Sequence, residues 1–433
     1  MVCVFKNGNR FCNGFKIYKR VDMSWKYVKL GTVCNTGAGG TPLKSKKEYY
    51  ENGTIPWLRS GEVNNRNIID SEIKITEKGL NNSSAKLFPT GTVLIAMYGA
   101  TAGQVGILNF ESSTNQAVCG VLPSENFATE FLYYFFLSFK DELISQAVGN
   151  AQPNISQAKI RNTLIPLIPL QEQQQIVAIL DEAFEAIDQA IANIEKNIAN
   201  AQELFQSKLN EIFSQRGEGW EICLLNEICE VKDGTHDSPK YVSEDNGIPF
   251  VTQKNILEDG LSFVDNKFIS LDDHENFYRR SNVTENDLLF SMIGANRGMV
   301  CIVDDGRTFS IKNVGLIKSS ENYRSKYLLY FLKSPIARNY VSDNSSGSAQ
   351  GFIGLGKLRA FPIPMTTLDR QKSIEIIIDS LNDNVTQIIY AYQMKINSLE
   401  ELKKSILQKA FAGKLTNKMV ESLQLAAEPE ERY

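Results

Sequence analysis

The side chains with the most useful chemistry in this sequence are polar and basic residues in its glycine-containing, turn-forming stretches. In the first half of the chain they are Thr41, Lys44, Lys46, Lys47, Arg59, Tyr98, Thr101, Gln104, Asn115 and Gln116. In the second half they are His236, Lys254, Asn255, Asn296, Arg297, Lys312 and Asn313. Arginine, asparagine and glutamine can form paired hydrogen bonds with base edges, and lysine binds phosphate. Together these types predict loops that contact DNA, although each residue alone is also a common turn or capping residue.

Catalytic and metal-binding patterns are missing from the sequence. The only two histidines, His236 and His274, have no partner at a spacing typical of a nucleophile or a metal site. His236 is interpreted either as a DNA contact or as a polar turn residue. The segment GFIGLGK (351–357) satisfies GxxxxGK, but Leu358 stands where a phosphate-binding loop has serine or threonine. We therefore predict a turn there, and no catalytic residue, metal or cofactor on this chain.

Two long segments have the pattern of helices that could position these loops. Leu170 to Arg216 contains no proline or glycine, and apolar residues recur in it mostly in steps of three and four; Leu368 to Ala412 has the same rhythm. At 1.5 Å per residue the first helix would be roughly 60 Å long. We predict an antiparallel coiled-coil pair. Its seam is expected at Ile176, Leu180, Ile187, Ile194, Ile374, Ile378, Leu381, Val385 and Ile388.

The chain also contains a tandem repeat. Trp25, Leu30, Val33 and Cys34 correspond to Trp220, Leu225, Ile228 and Cys229, 195 positions later. Further on the displacement is 198, which places Gln173 and Ile176 onto Gln371 and Ile374. Each copy is read as about 140 residues of short strands and small helices followed by one long helix. The predicted fold class is therefore α/β, in the mixed α+β sense, with two similar domains, the helix pair between them and approximate two-fold symmetry.

The repeat gives the expected domain boundaries. They are an N-terminal segment at 1–24, a first domain at 25–165, a central helix at 166–216, a second domain at 217–361, a C-terminal helix at 362–415 and an acidic tail at 416–433.

Composition restricts the class of protein. With 433 residues, 42% of them hydrophobic, the chain can bury more than one core. We find no signal peptide or membrane span, and the seven cysteines are scattered without a CxxC pair. These features predict a soluble, cytoplasmic protein.

Charge is distributed unevenly along the chain. The net charge is −4, yet the first long helix alone carries eight acidic and three basic residues, which leaves the remainder near +1. Basic residues cluster locally at Lys44, Lys46 and Lys47 and at Arg279 and Arg280. Such patches can meet phosphate while the acidic helix faces elsewhere.

Several segments resemble one known family. They are GGTP, ENGTIPWLRSGEV, ITEKGLNNSSAKLFPTGTVLIAMYGATAGQVGIL, TNQAVC, PLQEQQQI at the start of the first helix and LQKAFAGKL at the end of the second. Together they resemble the specificity subunit of Type I restriction-modification systems over essentially the whole chain. The resemblance implies two target recognition domains that each read half of a bipartite DNA sequence. It also implies that the helices dock two methyltransferase (modification) subunits.

The resemblance assigns the chemistry to partner chains. It implies that modification subunits use S-adenosylmethionine, and that restriction (motor-nuclease) subunits use ATP and magnesium. Two features depart from the family pattern. The second helix starts with TTLDRQKSI, in which only Gln371 and Ile374 match the first helix, so we expect partner docking there to differ in detail. The first 24 residues are expected either to add a strand to the first domain or to pack near the C-terminal end.

Two other functions stay open from the sequence. A specificity subunit of a Type II system, which cuts at a fixed distance from its site, is distinguished by a gene neighbourhood with a single methyltransferase-nuclease fusion. A coiled-coil adaptor between protein-binding modules is distinguished by absent or salt-insensitive DNA binding.

Overall fold

The computed structural model describes residues 5–6, 9–12, 15–16, 25–64, 66–145, 154–215, 217–294, 296–346 and 351–415. The chain divides into two compact units. The first contains residues up to 193 together with those from 395 onward, and the second contains 194–394.

The N-terminal segment forms a small antiparallel sheet of its own. Its strands are β1 (Phe5–Lys6), β2 (Asn9–Cys12) and β3 (Phe15–Lys16), in the order β1-β2-β3. Within the described residues these strands pair only with each other. The described residues of this segment show no pairing with the first domain, and both expectations for it stay predictions.

The first unit is built from short strands and small helices. In chain order they are β4 (Lys26–Lys29), β5 (Thr36–Ala38), β6 (Ile55–Leu58), β7 (Asn67–Ile68), β8 (Lys74–Ile75), α1 (Glu77–Asn81), β9 (Leu87–Phe88), β10 (Val93–Ala96), β11 (Val105–Leu108), β12 (Ser112–Thr114), β13 (Val118–Val121), α2 (Thr129–Ser138), α3 (Lys140–Ser145), α4 (Gln157–Asn162) and β14 (Leu164–Leu167). The long helix α5 (Leu170–Phe213) follows. The sheets have the orders β5-β13-β10-β11-β7, β8-β6-β12-β9 and β14-β4.

The second unit repeats this arrangement. Its elements are β15 (Glu221–Leu224), α6 (Leu225–Ile228), β16 (Val231–Asp233), β17 (Ile248–Val251), β18 (Ile256–Leu257), β19 (Gly260–Leu261), β20 (Lys267–Ile269), α7 (Leu271–Ser281), β21 (Leu288–Ser291), β22 (Val300–Ile302), β23 (Ser310–Ile311), β24 (Val314–Ile317), α8 (Ser325–Lys333), α9 (Pro335–Asp343), α10 (Leu355–Arg359), β25 (Pro362–Met365) and the long helix α11 (Leu368–Phe411). Its sheets have the orders β16-β24-β21-β22, β20-β17-β23, β15-β25 and β18-β19.

The sheet orders confirm the tandem repeat. The order β5-β13-β10-β11 corresponds to β16-β24-β21-β22, and the pair β14-β4 corresponds to β25-β15. Both long helices have 44 residues, and they begin at Leu170 and Leu368, 198 positions apart as predicted. The predicted mixed fold of two similar domains with two long helices is confirmed.

The two halves of each long helix belong to different units. In the first unit, Ile176 and Leu180 of α5 share a buried cluster with Ile406 and Leu407 near the end of α11. In the second unit, residues near the end of α5 share a cluster with residues near the start of α11. This reversed pairing is the order of an antiparallel helix pair.

The last residue of each long helix completes the core of a domain. The Phe411 ring lies 5.2 Å from that of Phe131 and 5.5 Å from that of Phe135, both on α2. In the second unit, Phe213 packs in the same way on Tyr327 and Phe331 of α8, with ring centroids 5.5 and 5.4 Å apart. The apolar run 131–139 is therefore a buried helix. Within the described residues, no helix is both long enough and apolar enough to cross a membrane.

A buried glutamine attaches the start of each long helix to its own domain. Gln173 is 0% exposed; its Nε2 donates to the Asn126 and Ile168 carbonyls at 2.8 and 2.9 Å. Its Oε1 accepts from the backbone N–H of Ala128, the residue before α2, at 2.9 Å. The equivalent Gln371 is also fully buried and accepts from the residue before α8. Both matching glutamines therefore satisfy buried backbone groups within the chain.

An aspartate on each helix makes a second contact with its domain. Asp181 of α5 accepts two hydrogen bonds from Arg66, at 2.5 and 3.0 Å, and one from the Tyr134 hydroxyl at 2.5 Å. Burial, and then the bond to Asp181, raise the pKa of Tyr134 above its ordinary value. In the second unit Asp379 accepts from the Tyr330 hydroxyl. These aspartates are thus used inside the chain and are not part of a solvated acidic face.

Most of the predicted seam is buried, with one correction. On α5 the four predicted seam isoleucine and leucine residues are at most 7% exposed. On α11, Ile374, Ile378 and Val385 are buried and Leu381 is half-buried, but Ile388 is 45% exposed. The step of three from Val385 to Ile388 equals the step from Ile378 to Leu381, so the spacing alone would keep Ile388 on the stripe, and it is the observed exposure that excludes it. Ile388 is therefore not a seam residue.

His274 makes the second unit sensitive to acid. It is 7% exposed on α7, and its Nδ1 lies 2.8 Å from the Ser310 hydroxyl oxygen. Burial lowers its pKa from the ordinary value of 6.5, although Glu275 opposes the shift. Since the unfolded chain then binds the proton more readily, this contribution to stability is present above about pH 6.5 and is lost as the pH falls.

We expect the unfolding temperature of the second unit to fall between about pH 7 and pH 5, and the His274→Gln variant to show a weaker dependence. Thermal unfolding followed by circular dichroism at several pH values measures both slopes. Equal slopes for the two proteins would contradict the role of His274.

Candidate nucleic-acid interface

In the first domain, four predicted loops meet at the turn after β12. The Gly40 N–H donates to the Thr114 carbonyl at 2.9 Å, and the Asn115 N–H donates to the Leu58 carbonyl at 2.9 Å. The Met97 N–H donates to the Ala117 carbonyl at 2.7 Å. These bonds join the ends of strands β5, β6 and β10 to one turn. We call residues 39–50, 59–64, 98–104 and 114–117 the first loop cluster.

A side-chain hydrogen bond crosses this cluster. The Thr41 hydroxyl donates to Oε1 of Gln116, whose side chain is exposed. The neighbouring Asn115 accepts the Ala117 N–H on its Oδ1 at 3.1 Å, which shapes the turn. The structure therefore brings Thr41 and Gln116 together, and Asn115 holds the turn that presents Gln116.

Close approach of the two loops explains a glycine. A Cβ on Gly39 would lie 2.1 Å from Thr114 Oγ1 and 2.3 Å from the Thr114 carbonyl oxygen. The loop is also held by Trp57, whose indole N–H donates to the Gly40 carbonyl at 2.9 Å. The first part of the stretch NTGAGGTP is strand β5, and Gly39 and Gly40 after it are buried against neighbouring backbone. The sequence shows the glycines but not what they approach.

The three lysines of this cluster are exposed. Lys46 donates to the Tyr49 hydroxyl at 3.2 Å, and Lys47 lies 4.0 Å from Glu51. Contacts between such exposed charges are weak in water. Lys44, Lys46 and Lys47 are therefore able to exchange these contacts for phosphate.

The remaining predicted residues of the first cluster differ in their availability. Arg59 forms ion pairs with Glu62, at 3.6 Å, and with Glu72, so its charge is already balanced. Tyr98 is 37% exposed, and its carbonyl accepts from the Thr101 hydroxyl at 3.3 Å. Gln104 is half-buried, and within the described residues its buried Oε1 has no hydrogen-bond partner. Arg59 and Tyr98 are thus the exposed side chains of this group.

The second domain brings its loops together at the turn after β23, which corresponds to the turn after β12 in the first domain. The Thr235 N–H donates to the Ile311 carbonyl at 3.0 Å, and the Asn313 N–H donates to the Thr235 carbonyl at 3.1 Å. The Lys312 N–H donates to the Val251 carbonyl at 2.9 Å. We call residues 234–240, 252–255, 296–298 and 312–313 the second loop cluster. It contains His236, Lys312 and Asn313 side by side.

His236 links two polar groups in this cluster. Its Nδ1 lies 2.6 Å from Asn313 Oδ1, and its Nε2 lies 3.0 Å from Asp233 Oδ2. Because a carboxylate only accepts hydrogen bonds, Nε2–H donates to Asp233, and the donor and acceptor at the contact between Nδ1 and the Asn313 amide depend on the His236 tautomer and the amide orientation. Arg280 donates to the other Asp233 oxygen at 3.2 and 2.6 Å. The sequence indicated Arg280 only within a basic pair, and Asp233 had no signal beyond its place before Gly234.

Two further residues of the second cluster have different roles. Lys312 donates to the Ser238 hydroxyl at 2.5 Å, and Lys254 is exposed. Asn255 is 6% exposed; its Oδ1 accepts from the Thr252 N–H at 2.8 Å, and its Nδ2 donates to the Ser262 carbonyl at 3.0 Å. Asn255 therefore stabilises its own loop and is removed from the set of predicted DNA contacts.

The turn between β21 and β22 holds the last two predicted residues. Arg297 is half-buried; it donates to the Gly294 carbonyl at 3.4 Å and packs close to Gly351. Asn296 is half-buried, and its carbonyl accepts from the Met299 N–H at 3.0 Å. Both residues belong to the second cluster because β21 pairs with β24, which begins immediately after Asn313.

Both clusters offer hydrogen-bonding and cationic groups. Within the described ranges, no three His, Cys, Asp or Glu side chains are grouped so that they could hold a metal ion. The exposed amides and lysines can bind base edges and phosphates.

Comparison with known proteins adds an independent line of evidence. The family model described as Type I restriction modification DNA specificity domain matches residues 23–200 and 217–400. The chain is 27% identical over 338 residues to the Type I restriction enzyme MjaIX specificity subunit of Methanocaldococcus jannaschii, covering 72% of this chain and 76% of that protein. It is 26% identical over 421 residues to the MjaVIII specificity subunit of the same organism, covering 92% and 94%.

Solved structures share the fold. A chain from a study of complex assembly and conformational transition of the type I R-M system matches with a TM-score of 0.70 at 21% identity, covering 92% of this chain and 100% of that chain. The HsdS subunit from Thermoanaerobacter tengcongensis matches with a TM-score of 0.52 at 20% identity, covering 92% and 99%. The family match spans both repeats, and each repeat carries one loop cluster.

Proposed function

This chain belongs to the Type I restriction modification DNA specificity family, and from that premise we propose that it gives a Type I restriction-modification complex its DNA sequence specificity. Each domain reads one half of a bipartite double-stranded DNA target through its loop cluster. The relatives named above are Type I subunits, so the Type II alternative is not favoured.

One observation carries this proposal. The two domains repeat the same strand order, and both place polar loops at the ends of corresponding strands. The side chains presented there differ: the first domain has Thr41 and Gln116, and the second has His236, Lys312 and Asn313. A shared scaffold with different polar groups is what two readers of different half-sites require.

We propose that the long helices dock the modification subunits. On the described part of α11 in the second unit, five large apolar side chains are between 45% and 68% exposed: Ile376, Ile377, Ile388, Tyr390 and Met394. Exposed apolar groups of this number on one helix are typical of a protein-binding surface. Gln371 and Ile374 are buried within the chain, so the differences between the two helix starts lie at positions that a partner can contact.

The proposal also assigns the chemistry to other chains. Methylation with S-adenosylmethionine belongs to the two modification subunits. Cleavage with ATP and magnesium belongs to the restriction subunits. This chain contributes recognition and assembly, in the cytoplasm where its DNA is found.

The test uses the full chain assembled with its modification subunits and a library of randomised duplexes. We expect the bound duplexes to share two short conserved sequences at a fixed separation. We also expect affinity to fall about 10³-fold or more between about 50 and 200 mM salt, because about six or more neutralised phosphates release counterions. Absence of a common sequence, together with salt-insensitive binding, would instead support a protein adaptor.

A further inference from the structure

We infer that one amide side chain in each domain, Gln116 in the first and Asn313 in the second, determines base specificity. We further infer that the residue bonded to it across the loop cluster, Thr41 or His236, is a positioning residue. The inference rests on the DNA-reading function proposed above and assigns it to one residue in the corresponding turn of each domain.

The two pairs occupy the same place in the repeat. The Gly39 N–H donates to the Val118 carbonyl at 3.1 Å, and the Gly234 N–H donates to the Val314 carbonyl at 2.9 Å. Thr41 and His236 each follow their glycine by two residues. Thr41 bonds to Gln116, two residues before β13, and His236 bonds to Asn313, the residue before β24, so both contacts reach the turn that leads into the corresponding inner strand.

The same steric constraint holds both loops. A Cβ on Gly234 would lie 2.3 Å from the Ile311 carbonyl oxygen, just as a Cβ on Gly39 would overlap Thr114. Side chains are therefore excluded at the crossing point of the two loops in each domain. Beyond the crossing, Thr41 in the first domain and His236 in the second carry the polar groups that bond to the opposite turn.

Each amide keeps hydrogen-bonding capacity for a base. Gln116 accepts from Thr41 on Oε1, which leaves a second lone pair on that oxygen and two N–H donors. An amide with both kinds of group matches the N6 and N7 atoms of adenine in the major groove. Asn313 has the same groups on a shorter side chain, and it sits in a left-handed turn with φ of 53° that asparagine tolerates.

The positioning residues account for a difference between the domains. Thr41 is a neutral hydroxyl, and the position equivalent to Asp233 in the first domain is Ala38. His236 is braced by Asp233, a carboxylate whose side chain is 11% exposed and which also holds Arg280. In the second domain the Asn313 amide is thus held through a charged network, whereas in the first domain the Gln116 amide is held by the hydrogen bond from Thr41. Different amide lengths and different surroundings give the two domains different base preferences.

The experiment selects duplexes from a randomised library with the assembled complex, using Gln116→Ala and Asn313→Ala. We expect Gln116→Ala to reduce base discrimination about 5- to 150-fold at one or two positions of one half-site only, the range of a lost bidentate contact. Asn313→Ala should do the same in the other half-site. Two exposed amides outside the clusters provide matched controls, Asn109→Ala in the first domain and Asn246→Ala in the second, and both should leave the selected sequence unchanged.

Separate outcomes distinguish the inference from the proposed function. If the unaltered complex selects no bipartite sequence, both the proposed function and the inference that rests on it are wrong. If it does select one, and Gln116→Ala and Asn313→Ala retain all preferences, only the inference is overturned. Equal weakening on every sequence with an unchanged unfolding temperature would also overturn it, because it identifies a phosphate contact.

The positioning role has its own readout. Thr41→Ser keeps the hydroxyl and should retain the preference at the Gln116 position, whereas Thr41→Val should lose it. Should Gln116→Ala fail to fold, Gln116→Glu keeps the shape but replaces the N–H donors, and is expected to change the preferred base. An unchanged preference in both Thr41→Val and Gln116→Glu would overturn the assignment for the first domain.

Discussion

Replacing Gln173 with alanine is expected to lower the free energy of unfolding by about 3–5 kcal/mol. The side chain is 0% exposed and satisfies one backbone N–H and two backbone carbonyls. Each buried group left without a partner costs about 1–3 kcal/mol. Because these groups belong to the start of α2, the end of β14 and the loop before α2, the loss weakens the attachment of the long helix to its domain. Urea unfolding of the full chain measures the change.

The sequence itself provides the control for this variant. Gln174 follows directly in the same glutamine run but is exposed, so Gln174→Ala should change stability by less than about 0.5 kcal/mol. Gln371→Ala repeats the test in the second unit. Equal stabilities for Gln173→Ala and Gln174→Ala would show that the buried hydrogen bonds do not hold the helix.

Replacing Gly39 with alanine should damage both stability and recognition in the first domain. The added Cβ would lie 2.1–2.4 Å from atoms of Thr114 and Asn115, so one of the two loops must move. We expect a loss of about 1–3 kcal/mol, as for other overpacked sites. The displaced loop carries Thr41 away from Gln116, so the half-site read by the first domain should lose its base preference while the other half-site keeps it.

Gly306 offers the control, since no atom lies within 4 Å of a Cβ built on it and it lies outside both loop clusters. Gly306→Ala should leave the unfolding temperature and the selected DNA sequence unchanged. Thermal unfolding and duplex selection on both variants test the prediction. A Gly39→Ala protein with normal stability and both half-site preferences would mean that the loop crossing is not required.

The long helices and the repeat were predictable because their signals are local or periodic. An uninterrupted run of apolar residues in steps of three and four predicts a helix without knowledge of its partner, and α5 and α11 begin at Leu170 and Leu368 as predicted. The constant displacement of 198 residues likewise needs only the sequence. The predicted helix ends, Arg216 and Ala412, lie one to three residues beyond the last helical residues, Phe213 and Phe411.

What could not be predicted depends on contacts between distant residues. Asp181 looked like one of many solvated acids on α5, but it binds Arg66, 115 positions earlier. Two other acids of that helix are also engaged: Glu172 accepts from the Trp25 indole at 2.9 Å, and Asp188 pairs with Lys403. Asn255 has the right chemistry to read a base, yet its side chain is buried by its own loop. The periodic spacing of apolar residues did not predict that the Ile388 side chain is exposed.

The composition of the first unit has a consequence for how the protein is made. Its core includes Ile406, Leu407 and Ala410, and Phe411 packs against it, although the rest of that core ends near residue 187. The intervening stretch of about 200 residues takes about 10–40 s to translate at 5–20 residues per second. During that time the first domain is attached to the ribosome without the part of its hydrophobic core that α11 supplies. The nascent chain therefore cannot finish its first-made domain until its last helix emerges, and truncation late in the message would damage the domain encoded at its beginning.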